Sequence, residues 1–261
     1  MKIALAQMDI FWCDKEKNKS KCIEFFRKAQ SSNVDLILFP EMTLTGFCMD
    51  VECVAEEDNK TLTWFKEQAK NFNLNIGFGY VKKEGNKGLN IFSMISKDGI
   101  VLSKYTKLHP FSFASETDYY TSGDEIVFTK VNEFLTSTFI CYDLRFPEIF
   151  QIASSKSELI TLIANWPSVR REHWITLLRA RAIENQCYVA GVNRVGTGNG
   201  IEYVGDSMII DPLGNILATS LNNEELIVAD INIEAVHKLR NSFKVKADRR
   251  NEFYSSLLHG I

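Results

Sequence analysis

The stretch FLTSTFICYDLRFPEIFQIASS, Phe134 to Ser155, changes character half-way. Phe134 to Ile140 is apolar and rich in Phe and Thr, which suits a strand. Phe146 to Ser155 suits a helix, with Pro147 placed for its first turn. Between them stand a thiol, Cys141, and the charges of Asp143 and Arg145, with Glu148 close behind. A strand that feeds a helix through a polar turn is an α/β unit.

Working outward, the pattern repeats. ELITLIAN (158–165) and CYVAGVN (187–193) read as buried strands, with a long helix from Arg170 to Gln186 between them. DSMIIDPLGNILAT (206–219) reads as a hairpin around Pro212 and Gly214, and ELIVADI (225–231) as a strand before a helix from Ile233. Toward the N-terminus, Ile3–Met8, Val34–Pro40 and Asn75–Val81 are strand candidates, and Lys15–Gln30 and Thr61–Phe72 are helix candidates. A hairpin joins NIFSMIS to IVLSKY through KDG, and a further strand spans Ile126–Val131. Roughly ten strands are many for one flat sheet, so two mixed sheets packed face to face under helices are expected. No linker, repeat or low-complexity tract divides residues 1–261, which predicts a single domain.

Composition narrows the function. The net charge is −3 and charged residues of both signs are mixed, so no basic stripe for nucleic acid stands out. No apolar run approaches the ~18 residues of a membrane helix, and the N-terminus lacks a signal-peptide pattern. A cytoplasmic protein is expected. The six cysteines form no CxxC pair, and no zinc-ligand spacing is visible, so no metal is expected.

Three polar groups follow strand candidates: Glu41 in LILFPEMTLTGF, Lys107 in SKYTKLHPF and Cys141 in STFICYDLRFPE. Alone, each has a plain reading as a loop carboxylate, a surface lysine and an inert buried thiol. Together they make a chemical set at the strand ends where α/β proteins gather ligands. A thiol needs a base, which a carboxylate can supply if burial raises its pKa. Attack on a carbonyl makes an oxyanion that an ammonium and a backbone N–H can stabilise. None of the four histidines lies in a cysteine-hydrolase motif, and His109 reads as a hydrogen-bonded neighbour of the site.

FPEMTLTGF, YTKLHPF and ICYDLRFPE resemble the glutamate, lysine and cysteine motifs of the nitrilase superfamily, the carbon–nitrogen hydrolases. The resemblance covers nearly the whole chain. The segment from Asn165 to Ser207 and DPLGN (211–215) are similar to the amidase branch, above all to bacterial omega-amidases acting on 2-oxoglutaramate. The resemblance implies an αββα sandwich that forms a homodimer, a small amide substrate and no cofactor. It implies Glu41 as general base, Cys141 as nucleophile and Lys107 with the N–H of Tyr142 as oxyanion donors. It also implies a second glutamate: Glu116 fits best, with Glu125 as rival. Other implied activities are a deaminated glutathione amidase or an N-carbamoyl acid hydrolase; a catalytically silent binding protein is the reading from another class.

Arg145 reads either as a partner of Glu148 or an interface carboxylate, or as a bidentate clamp for a substrate carboxylate. Asn165, Trp166 and Phe47 are substrate-binding candidates, each with a core-packing alternative. Arg170, His173 and Trp174 read as structural residues of a helix at the dimer face, and Glu184 as a possible buttress of the site. The dipole of the helix beginning at Phe146-Pro147 is expected to help lower the thiol pKa.

Overall fold

A computed structural model describes residues 1–258. The chain runs through β1 (Lys2–Gln7), α1 (Lys15–Ser31), β2 (Leu36–Leu38), α2 (Val51–Val54) and α3 (Lys60–Phe72). An antiparallel run β3 (Asn75–Glu84), β4 (Lys87–Ile95) and β5 (Val101–Thr106) follows, then α4 (Glu116–Tyr119). The second half holds β6 (Phe128–Val131), β7 (Phe134–Ile140), α5 (Pro147–Ala153), β8 (Leu159–Ala164) and α6 (Arg171–Asn185). It ends with β9 (Tyr188–Asn193), β10 (Val195–Gly198), β11 (Ile201–Ile210), β12 (Ile216–Leu221), β13 (Glu225–Asp230), α7 (Ile233–Ser242) and α8 (Asn251–Leu258). None of the described helices is long and apolar enough to cross a membrane.

Two mixed sheets form. One has the order β13-β1-β2-β3-β4-β5; the other has the order β10-β11-β9-β8-β7-β6, with β12 paired to β11. Side-chain alternation explains the layering. Ile3 and Leu5 of β1, with Leu36 and Leu38 of β2, join the large core shared with the second sheet. Ala4, Ala6 and Ile37, with Phe39, turn the other way onto α1 and α3, where Phe25, Phe26 and Phe65 meet them. On the far side, Trp174, Leu178 and Ala182 of α6 and Phe150 of α5 cover the second sheet. The result is the expected two mixed β-sheets with helices outside.

The expected elements are present, with informative differences at their ends. β3 continues three residues past Val81 because Lys82, Lys83 and Glu84 pair with Leu89, Gly88 and Lys87. That hairpin tip is polar, so apolar patterning stops short of it. The one-turn helices α2 and α4 and the glycine-rich β10 are too short to carry a period.

Where the glutamate loop crosses β3, the backbones touch. Thr43 N–H donates to Gly79 O at 2.9 Å, and Gly79 N–H donates to Thr43 Oγ1 at 3.2 Å. A Cβ on Gly79 would stand 2.5 Å from Met42 N and 2.9 Å from Glu41 Cα. Gly79→Ala must therefore push the Glu41 loop off β3. The expected loss is about 1–3 kcal/mol of stability, as for other overpacked cores, read as a lower denaturant midpoint with an unchanged slope. A midpoint equal to the wild type would contradict this contact.

Candidate active site

The strand β7 ends where the side chain of Asp143 folds back and accepts the N–H of Ile140 at 3.0 Å. Asp143 is fully buried and also accepts from Tyr105 Oη at 2.7 Å and His109 N at 3.0 Å. His109 Nδ1 lies 2.8 Å from the same carboxylate, and its ring stacks on Phe146 at 3.7 Å. The strand end, the segment after β5 and the start of α5 are thus tied to one acid. His109 acts as the hydrogen-bonded neighbour that the sequence suggested.

Cys141 takes φ +47° at the head of a 3₁₀ turn, Cys141–Arg145. A non-glycine residue there costs on the order of 1 kcal/mol. Pro147 opens α5 directly afterwards. The N–H of Tyr142 lies in the first turn of the 3₁₀ helix, where an amide has no partner within the helix.

Behind the thiol lies a buried charge cluster. Glu41, Lys107 and Glu116 are 0%, 1% and 0% exposed. Lys107 Nζ is 3.0 Å from Glu41 Oε1 and 2.8 Å from Glu116 Oε2. Asn90 Nδ2 donates to Glu41 Oε1 at 2.8 Å and to Glu116 Oε1 at 3.2 Å. Asn165 links the cluster to the thiol: its N–H donates to Glu41 Oε2 at 2.9 Å, and its carbonyl lies 3.9 Å from Cys141 Sγ. Glu116 also accepts the N–H of Phe111. Glu125 is exposed on the loop before β6, so Glu116 and not its rival stands beside Lys107.

Burial alone would disfavour the Lys107 ammonium, but Glu116 and then Glu41 outweigh it and hold its pKa above the ordinary lysine value. Burial pushes the Glu116 carboxyl up, against the pull of Lys107. The Cys141 thiol is also pushed well above its ordinary value, by burial first and by Glu41 second; Lys107 opposes this without overcoming it. This corrects the expectation of a thiol lowered by the helix dipole. A neutral resting thiol must hand its proton to a base when it attacks.

A cavity of about 540 Å³ opens in front of Cys141 and Lys107. Phe47, Tyr142, Arg145, Asn165 and Trp166 line it, and Phe111, Arg170 and Tyr203 join them. Asn165 also holds the glutamate loop: its Nδ2 donates to the Glu41 carbonyl oxygen at 2.6 Å, while its Oδ1 has no hydrogen-bond partner among the described residues. Arg145 forms no ion pair with Glu148 among the described residues; its guanidinium lies over the Trp166 ring at 4.8 Å, with Nη2 3.2 Å from His173 Nδ1. Arg170 is a correction too, since it faces the pocket as well as opening α6. Trp174, read as a structural residue at the dimer face, is buried in the core of the chain itself. Glu184 pairs with Arg181 at 2.9 Å, and Arg181 Nη2 donates to Leu144 O at 2.7 Å, so it braces the Cys141 turn from behind. Among the described residues no three His, Cys, Asp or Glu side chains are grouped to hold a metal ion.

A family model described as Carbon-nitrogen hydrolase matches residues 2–241. The chain belongs to the carbon–nitrogen hydrolase family. It is 34% identical to a 2-oxoglutaramate amidase of Bacillus subtilis, over 97% of this chain and 98% of that one. It is also 34% identical to the omega-amidase YafV of Escherichia coli K12, over 95% and 96% of the two chains. A carbon–nitrogen hydrolase superfamily protein of Xanthomonas campestris, solved with an arsenic adduct in its active site, superposes with a TM-score of 0.89 at 30% identity. That match covers 95% of this chain and 97% of the other.

Membership of a hydrolase family gives the sequence misses a context. Asn90 is a buried amide inside β4, a polar signal that the hairpin reading passed over. Arg170 and Phe111 carried no local signal, because loops from separate parts of the chain bring them to the pocket. The raised thiol makes a testable statement. The iodoacetamide alkylation rate at Cys141 should keep climbing by about tenfold per pH unit from pH 6 through pH 8.5, following the thiolate fraction. A plateau below pH 7 would mean a stable resting thiolate and would contradict the assignment.

Proposed function

We propose that the enzyme hydrolyses a small carboxylated amide of the 2-oxoglutaramate or succinamate type to a carboxylate and ammonia. The observation that carries this reading is the continuous path Cys141–Asn165–Glu41–Lys107–Glu116, of which Cys141, Asn165 and Lys107 line a cavity that also presents Arg145. Similarity to amidases over nearly the full chain supports it.

In this scheme Glu41 takes the thiol proton as Cys141 Sγ attacks the amide carbon. The carbonyl π electrons move onto oxygen, which rests between the Lys107 ammonium and the N–H of Tyr142. Collapse of the tetrahedral adduct breaks the C–N bond, and Glu41 returns its proton to the leaving nitrogen, giving ammonia. Water then attacks the thioester, Glu41 takes its proton, and the released sulfur recovers that proton. Glu116 keeps Lys107 charged and aimed. Arg145 binds the carboxylate at the far end of the substrate with a forked pair of hydrogen bonds. Phe47 and Trp166 form apolar walls.

Two copies are proposed to pair through α5 and α6. Ile152, Ile183 and Leu213 are 58%, 51% and 65% exposed on these helices and on the adjoining β11–β12 turn, an apolar patch of the kind that marks an interface. Sedimentation at the mass of two chains is expected; a single-chain mass at micromolar concentration would contradict pairing.

Ammonia release from 2-oxoglutaramate, succinamate, glutamine and deaminated glutathione tests the activity. Release is expected from a carboxylated amide and should fall by at least about 10³-fold in Cys141→Ala. Activity that survives this substitution would remove the thioester scheme. Best turnover on deaminated glutathione would replace the proposed substrate with a larger one.

A further inference from the structure

The reaction scheme leaves one cation of the pocket unused. Arg170 ends the short 3₁₀ turn Ser168–Arg170 before α6, and its guanidinium lies over the Phe111 ring at 5.3 Å. Its carbonyl accepts Trp166 Nε1 at 2.8 Å. That bond fixes the indole on which Arg145 rests. Both guanidiniums therefore lie on aromatic faces within one cavity, and the same segment positions both.

Neither has an ion-pair partner among the described residues. For Arg145 the polar contact is His173 Nδ1, which must act as acceptor because a guanidinium has only donors. The charged side chains on the cavity lining are Lys107, Arg145, Arg170 and a single acid, Glu202. Glu202 is exposed and accepts from Ser168 Oγ at 3.0 Å. Burial, and next the charge of Arg170, depress the Arg145 pKa below the ordinary arginine value, so the two cations feel each other across the cavity. Two like charges that face one cavity, neither of them ion-paired among the described residues, have unmet attraction for an anion.

We propose that Arg170 is a substrate-binding residue, the second half of a two-arginine subsite that holds the 2-oxo-carboxylate end of the substrate together with Arg145. This rests on the amidase reading and extends it to specificity. A plain carboxylate satisfies one guanidinium fork. A 2-oxo acid adds a third oxygen along the same planar edge, giving the second guanidinium an acceptor of its own. A 2-amino acid amide would instead bring an ammonium to two cations. The subsite thus favours 2-oxo acid amides over glutamine through repulsion as well as attraction.

The test compares kcat/KM for 2-oxoglutaramate with that for butanamide, which has neither oxo group nor carboxylate, in the wild type and in Arg170→Ala, Arg170→Gln and Arg170→Lys. The preference for 2-oxoglutaramate should fall about 10- to 100-fold in Ala and Gln, as expected for a lost charge-assisted hydrogen bond, and mainly through KM. Lys should recover only part of it, lacking the fork. Calorimetry gives a readout independent of turnover: in Cys141→Ala protein, adding Arg170→Gln should weaken 2-oxoglutarate binding by at least about tenfold. A preference and an affinity both within twofold of the parent proteins would overturn the proposal. If the Ala variant fails to fold by circular dichroism, the Gln and Lys variants decide. If the wild type releases ammonia from neither amide, the amidase reading falls and calorimetry alone decides the subsite.

Discussion

The site depends on one buried ammonium. Lys107 is almost wholly removed from water, and so are the two carboxylates on either side of it. None of the three charges is tolerable in that position without the others. Breaking such a buried set by deleting one partner typically costs about 3–5 kcal/mol, because an uncompensated charge is left behind. Two acids against one ammonium also leave an excess of negative charge beside Cys141. That excess helps to keep the thiol protonated at rest, and in the proposed reaction it gives the proton a destination.

The fold serves this cluster by bringing three chain segments to one place. β2 and the loop after it bring Glu41, which rests on the bare backbone of Gly79. The segment after β5 brings Lys107, whose N–H donates to Asn90 O at 2.9 Å. β7 ends in a left-handed cysteine, held there by Asp143. Asp143 ties the lysine segment to the Cys141 turn, and Asn165 ties the glutamate to the thiol. The strain at Cys141 is set against four contacts to one buried carboxylate.

Much of this was legible in the sequence, for physical reasons. Two-residue alternation and short apolar runs mark buried strands, so the two-sheet architecture could be read from VDLILFP, ELITLIAN and CYVAGVN. Charged or nucleophilic residues directly after such runs mark strand-end sites, which singled out Glu41, Lys107 and Cys141. Choosing Glu116 over Glu125 needed the family resemblance, since both are acids in the connection between β5 and β6 and only the folded chain decides which one meets Lys107. The direction of the thiol shift was misread because a helix dipole is visible in sequence, whereas desolvation and a carboxylate distant in the chain are not. Arg170 was misplaced for a similar reason: a helix start has one visible role, and its second face is set by how Phe111 and Trp166 pack around it.

The central claim is that Cys141 carries the acyl group while the buried cluster handles the proton and the oxyanion. Rapid-quench mass spectrometry of the enzyme mixed with a carboxylated amide measures this directly. The account predicts a transient mass increase equal to the acyl fragment, mapped to the peptide containing Cys141, with one ammonia released per adduct formed. Ammonia release at full rate with the label absent from Cys141, or found on another residue, would contradict it.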